Sequence, residues 1–247
     1  GLVGSEMCIR DRIYTERELE GPLREHGIET IVTMTRFYKL VKSVQPRTPV
    51  KRVIATNIKE FFPPLLRTLF TLLREKKDGD RIQLADGDFS LKTLLDKHAG
   101  HRSPVEPPSP DDAAVLLMSG GTTGTAKGVL GKHSAYVCTG LQIVAWTPTV
   151  LSEWHDVIFL PLPMFHVYAN VGVQALAFIT KNPIAIVPNP RDLDDLLATI
   201  KRVKPAFFTA VPTLYIALLN HPLVQKNKID FKSIKICFSG AAALLAD

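Results

Sequence analysis

The chain has 247 residues, of which 46% are hydrophobic and 22% charged, enough apolar content for a sizeable core and the wrong composition for a disordered or fibrous protein. Its net charge of +6 is spread along the sequence with no basic block or aromatic-interleaved stripe, so nucleic acid is not an expected partner. Three cysteines, Cys8, Cys138 and Cys237, lie far apart with no C-x-x-C pair, which excludes a disulfide framework and suits a reducing cytoplasm.

Residues 1–12 (GLVGSEMCIRDR) lack the continuous apolar core and cleavage pattern of a secretory signal and fit poorly with the rest of the chain, so they read as a non-native leader. From residue 13 onward the elements alternate. Residues 14–26 predict a helix interrupted or ended near Gly21-Pro22, because proline removes a backbone donor, with Gly27 as its stop. Residues 28–34 and 50–55 read as strands on either side of a helical pattern at 36–44, a β-α-β rhythm. Residues 59–77 place seven apolar side chains on a broad helical face, broken near the start by Pro63-Pro64. The preferred reading buries that face in the core, with a peripheral membrane contact as the alternative.

Residues 77–88 are polar and turn-rich, and residues 102–112 (RSPVEPPSPDD), with four prolines, form the strongest linker candidate. Residues 113–118 (AAVLLM) read as a buried strand and 133–145 as a helix, which contains Cys138; that cysteine and Cys237 have apolar neighbours and read as buried packing residues. Residues 157–180 carry no Asp, Glu, Lys or Arg, but Pro161, Pro163, His166, Asn170 and Gln174 favour a buried strand, a loop and a helix over a membrane span. Strands at 184–187, 206–209 and 234–238 then alternate with a helix capped by Asp192 and another started by Pro212. The fold class is α/β, a largely parallel sheet covered by helices on both faces.

Between the strand at 113–118 and the helix at 133–145 lies the densest cluster of donors in the chain, within residues 117–129 (LMSGGTTGTAKGV). Gly120, Gly121 and Gly124 let the backbone turn its N–H groups onto an anion. Ser119, Thr122, Thr123 and Thr125 add hydroxyls, and Lys127 adds a mobile charge, a set suited to a polyphosphate. Strand, glycine-rich loop and helix is a common nucleotide-binding layout. The P-loop pattern fails at Ala126 and Gly128, and no G-x-G-x-x-G is present. A solvated turn of the same composition is the plain alternative.

Two further loops follow predicted strands, where open α/β sheets place their ligands. Residues 161–168 (PLPMFHVY) put His166 between Phe165 and Val167, and Phe165 and Tyr168 can wall an apolar pocket; a histidine in such company also serves as an ordinary core residue. Residues 239–243 (SGAAA) have small side chains that admit a flat ring or simply pack tightly at a strand end. No His/Asp/Glu cluster has metal-ligand spacing, so no residue is assigned to a metal, and no G-x-S-x-G elbow is present.

The three loops together, SGGTTGTAKGV, LPLPMFHVY and FSGAAAL, resemble in order and spacing the motifs of the adenylate-forming acyl-activating enzymes. YTERELE and NPRDLDDL look most like the bacterial long-chain fatty acyl-CoA ligases within that superfamily. The resemblance implies an AMP-forming ligase that uses ATP, Mg²⁺ and CoA and passes through an acyl-AMP. It further implies that Ser119, Gly120, Gly121, Thr122, Thr123, Gly124, Thr125 and Lys127 hold the ATP phosphates, with Lys127 and His166 in catalytic roles. Phe165 and His166 with Gly240, Ala241 and Ala242 would line the adenylate and acyl pocket.

By the same resemblance residues 13–247 are an incomplete AMP-binding N-terminal domain whose C-terminal domain and later acidic, magnesium-associated motif are absent. The chain by itself is then expected to be inactive. The expected setting is the cytoplasm, with contact at the inner membrane surface left open. The readings to be separated from it are an aryl-CoA ligase, an amino-acid adenylation domain, and a nucleotide- or acyl-binding protein without catalysis.

Overall fold

The computed structural model describes residues 15–102, 105–119, 127–147 and 150–243, with Ser119 described by its backbone alone. The chain divides between Pro107 and Pro108 into two compact units.

The first unit opens with helix α1 (Glu16–Glu25). Its N-terminus is a capping box, in which the Glu18 N–H donates to Thr15 Oγ1 and the Thr15 N–H to Glu18 Oε2. The expected break at Gly21-Pro22 does not occur. Pro22 lies inside the helix, where it forfeits one donor, while the turn beyond it carries Leu23 into the core beside Leu19. Gly27, at φ 61°, then closes the helix, with the Ile28 N–H returning to the Leu23 carbonyl at 3.0 Å.

Strand β1 (Thr30–Met34), helix α2 (Tyr38–Val44) and strand β2 (Arg52–Thr56) form the β-α-β unit, the strands parallel with Thr30 opposite Arg52 and Met34 opposite Thr56. Helix α3 (Pro64–Leu73) comes next, then β3 (Phe89–Ser90), parallel to β2, and α4 (Leu91–Lys97), capped by Ser90. The core is built from Leu19, Leu23, Ile31, Tyr38, Val41 and Val53 with their neighbours.

Helix α3 contradicts the preferred sequence reading, because none of its side chains is buried. Leu65 and Leu72 are 73% and 75% exposed. The turn-rich stretch at 77–88, by contrast, is anchored by buried charge. Asp80 is fully buried, accepting from Thr35 Oγ1 at 2.8 Å and pairing with Arg36 at 2.9 Å. Asp88 accepts from Tyr38 and from Lys42 Nζ.

In the second unit β4 (Ala113–Ser119) runs antiparallel to β5 (Lys127–Lys132), with Leu117 opposite Val129 and Ser119 opposite Lys127. Helix α5 (His133–Trp146) leads to β6 (Ile158–Leu160). A π-helical stretch (Tyr168–Gln174) runs into α6 (Ala175–Thr180), and β7 (Ile184–Ile186), α7 (Leu193–Val203) and β8 (Phe207–Ala210) come after it. Helices α8 (Pro212–Leu219) and α9 (Pro222–Gln225) lead to β9 (Ile236–Ser239). The caps act as read: Asp192 accepts from the Asp195 N–H at 3.1 Å, and Pro212 opens α8.

Strands β7, β6, β8 and β9 form, in that order, a parallel sheet whose central strands β6 and β8 are buried on both faces. Phe159, Phe208 and Ala210 pack with α7 and α8 on one face, and Ile158, Leu160 and Phe207 pack with residues 169–177 on the other. The described residues form three sheets, two of them parallel, in keeping with the mostly parallel α/β class, and the one at 113–132 antiparallel. No helix among the described residues is long and apolar enough to cross a membrane.

Candidate functional site

The hairpin β4–β5 corrects the layout around the glycine-rich loop. The chain does not pass from loop to helix; it turns back as β5 and enters α5 only at His133. The loop therefore joins two paired strands and does not sit on a helix N-terminus. The side chain of Ser119 and all of Gly120, Gly121, Thr122, Thr123, Gly124 and Thr125 lie outside the described residues. Lys127 is the first residue of β5, opposite Ser119 at the base of the loop, with its side chain exposed.

Residues 161–167 leave the carboxyl end of β6, itself fully buried, and deliver His166 half-buried. The loop is stitched to its own backbone. His166 N–H donates to the Pro163 carbonyl at 3.0 Å, Asn170 N–H donates to the His166 carbonyl at 2.9 Å, and Asn170 Nδ2 donates to the Met164 carbonyl at 3.1 Å. The Tyr168 N–H donates to His166 Nδ1 at 3.3 Å. A ring nitrogen that accepts carries no proton, so the neutral imidazole holds its proton on Nε2, and that N–H is the donor the ring can offer a ligand. Phe165 is half-buried beside it.

Tyr168 links this loop to the third one. Its hydroxyl donates to the Phe238 carbonyl on β9 at 2.6 Å, and its ring lies against Gly240 so closely that a side chain there would come within 3.1 Å of Cε1. Burial pushes the Tyr168 hydroxyl up to about 12. On one side of Gly240 the neighbouring flat ring is thus the Tyr168 side chain. Behind it the Tyr215 hydroxyl donates to the Phe208 carbonyl at 2.8 Å, and burial raises its pKa as well.

Ala241 adopts φ 67°, a left-handed conformation that costs a residue with a Cβ about 1–2 kcal/mol, and Ala242 follows it exposed. Two buried polar atoms here, Asn170 Oδ1 and Ser239 Oγ, have no partner among the described residues. Buried groups of this kind are normally met by water or by a ligand.

The structure thus gathers His166, Tyr168, Gly240 and Ser239 at the carboxyl ends of parallel strands, where open sheets bind ligands. Asn170 and Tyr215 were not singled out as site residues in the sequence; only the spacing of Asn170, one helical turn after His166, hinted at it. Cys138 and Cys237 correct a second expectation, since both are free and exposed. Cys237 faces out from β9, the edge strand of its sheet, yet its sulphur lies beside the Tyr215 hydroxyl, and that local burial raises the thiol pKa. Among the described residues no three His, Cys, Asp or Glu side chains cluster as metal ligands. Two open grooves of about 440 and 480 Å³, one along α1 and one beside β7, include none of these residues.

Residues 5–247 match the family described as AMP-binding enzyme. The chain is 29% identical over 233 residues to the long-chain-fatty-acid–CoA ligase of Bacillus subtilis (strain 168), a match covering 94% of this chain and 41% of that enzyme. It is 34% identical over 244 residues to 4-coumarate–CoA ligase 3 of Arabidopsis thaliana, covering 98% and 38%. The crystal structure of the anthranilate CoA ligase AuaEII in complex with anthranoyl-AMP has the same fold over 95% of this chain and 40% of its own, with a TM-score of 0.72 at 20% identity. The chain spans about two fifths of the length of these relatives. Its strands, its loops at their carboxyl ends and the family match over nearly all its residues agree, and the chain belongs to the AMP-binding enzyme family.

Proposed function

We propose that this chain is part of an ATP-dependent ligase that joins a long-chain fatty acid to CoA through an acyl-AMP. The observation that carries the reading is the likeness, over 94% of the chain, to a long-chain-fatty-acid–CoA ligase. In the first step a carboxylate oxygen attacks the α-phosphorus of ATP; the bond to the β-phosphate breaks, and pyrophosphate leaves. In the second the CoA sulphur attacks the acyl carbon, its thiol proton is lost, and AMP departs with the bonding electrons.

The residues suit those roles. Backbone N–H groups and hydroxyls of Ser119, Gly120, Gly121, Thr122, Thr123, Gly124 and Thr125, with the Lys127 ammonium, would hold the departing phosphates as negative charge shifts onto them. His166, with its proton on Nε2, would donate to the carboxylate or the acyl-phosphate oxygen and hold it in line. Phe165 would wall the acyl pocket, and Gly240, Ala241 and Ala242 would border the adenylate, with Asn170 Oδ1 and Ser239 Oγ as free polar partners at the same edge. Mg²⁺ bound to the triphosphate would offset its charge. The described residues do not form a cluster that fits the ion, so none is assigned to it. We place the enzyme in the cytoplasm, working against the inner membrane surface where long-chain acids partition.

Identity to 4-coumarate–CoA ligase 3 supports a second reading, an aryl-CoA ligase. ATP–pyrophosphate exchange, measured on the longest reading frame that encodes this chain, tests both. Palmitate or oleate should drive exchange, Lys127→Ala should slow it by roughly 10²–10³-fold, and His166→Ala by roughly 10²-fold. Exchange driven by 4-coumarate and not by palmitate would establish the second reading. Exchange indifferent to Lys127→Ala would remove the assigned phosphate site.

A further inference from the structure

The leucines of α3 lie on the outside of the protein. By helical spacing Leu65, Leu66, Leu69, Leu72 and Leu73 share one face, and all five are exposed, Leu69 the least at 43%. Core packing is not what holds the helix in place. At its carboxyl end the buried Glu75 accepts from Asn57 Nδ2 at 3.2 Å and from Lys59 Nζ, and Asn57 Nδ2 also donates to the Asp80 carbonyl at 3.1 Å. At its start Phe62 meets Phe70 edge to face, with ring centroids 5.6 Å apart. The fold spends buried charge on fixing an element whose apolar side chains are left to solvent.

Charge decides what fits that face. The acids of this stretch are engaged within the protein: Glu60 accepts from Thr56, Glu75 pairs with Lys59, Asp78 faces Arg74 at 3.9 Å, and Asp80 pairs with Arg36. Lys76 and Lys77, beyond the last turn of α3, are exposed and make no side-chain pair among the described residues, while Arg67 lies on the side of the helix away from the leucines. An apolar face followed, just past the carboxyl end of the helix, by two uncommitted lysines matches an anionic bilayer, with leucines among the acyl chains and ammonium groups among the headgroup phosphates. A second copy of the chain fits less well, since a two-fold contact through this face would bring the same cations together. At ten residues, about 15 Å, the helix is too short to span a bilayer and long enough to lie in its surface.

We propose that α3 is an interfacial helix that seats the protein on anionic lipid. The inference deepens the membrane-surface part of the proposed function by naming its element and its lipid class. Flotation of the protein encoded by the longest reading frame that contains this chain, with vesicles of phosphatidylcholine alone, or of phosphatidylcholine and phosphatidylglycerol at 3:1, tests it without ATP, acid or CoA. Binding to the anionic vesicles should exceed binding to the neutral ones by at least about tenfold and weaken with salt. Leu69→Glu with Leu72→Glu should abolish it, and Lys76→Gln and Lys77→Gln should each weaken it by about fivefold.

Because these side chains are exposed, the variants should keep the parent's circular dichroism spectrum, and Leu95→Glu, on the exposed face of α4, should bind like the parent. Undiminished binding by the Leu69/Leu72 variant overturns the role of α3 while leaving membrane contact standing. Absence of binding to either vesicle overturns both, and equal, salt-independent binding to neutral vesicles overturns the anionic preference. A sedimentation shift from dimer to monomer in the leucine variant, without vesicle binding by the parent, assigns the face to a second copy and overturns the proposal. The ATP–pyrophosphate exchange assay decides the ligase reading separately.

Discussion

Tyr168 carries two loads, bracing the histidine loop against β9 and filling the space that Gly240 leaves open. Tyr168→Phe keeps the ring and removes only the hydroxyl, leaving the Phe238 carbonyl short of a donor. A loss of about 1 kcal/mol is expected in denaturant unfolding. The alkaline limb adds a sharper signature. The hydroxyl titrates at about 12 in the folded protein against an ordinary value of 10.0, so its contribution is fully present below pH 10 and lost as pH rises from 10 through about 12. The Phe variant should lack that part of the decline, and a parent and variant with the same pH dependence between 10 and 12 would show that the hydroxyl is not held as described. Both His166 and Tyr168 were visible in the sequence as chemistry in an apolar loop. Their coupling was not, because Phe238 lies 70 positions away and its contribution is a backbone carbonyl, which no side-chain pattern reveals.

At the scale of elements, the contact between α5 and α6 rests on one missing side chain. A Cβ added at Gly140 would lie 2.6 Å from Ile179 Cγ1 and 2.8 Å from the Ala175 carbonyl oxygen. The first neighbour can swing away, whereas the second is backbone and cannot without shifting α6. Gly140→Ala would gain helix propensity of about 1 kcal/mol, but the clash should outweigh it, leaving a net loss of roughly 1–2 kcal/mol and more for Gly140→Val. An alanine variant as stable as the parent in urea would mean that the helices do not approach so closely. Strands β6 and β8, the Asp192 cap and the Pro212 start were legible because each is a local pattern with one physical reading. The leucine face of α3 was legible too, but spacing reports which residues share a face and not what covers it. Strand β5 escaped notice because KGVLGK has two glycines and two lysines, a poor strand composition stabilised by its pairing with β4.

For the whole molecule, the core of the first unit, from Leu19 to Ala55, shares no residue with the two that cover the sheet of the second. The proline-rich stretch at 102–112, read as a linker from composition, contains the boundary between the units at Pro107 and Pro108. We propose that the two units unfold as separate cooperative blocks, so that calorimetry resolves two transitions and each responds to its own mutation. Asp80→Asn removes the charge that Arg36 and Thr35 surround. Breaking that pair should cost roughly 3 kcal/mol, at the low end for a buried pair because a quarter of the Arg36 side chain stays solvated. It should lower one transition and leave the other in place, while Gly140→Ala should do the reverse. With the sites in different cores the double variant should show both shifts at nearly their separate sizes. A single transition moved by either mutation would overturn the separation and make the chain one cooperative unit.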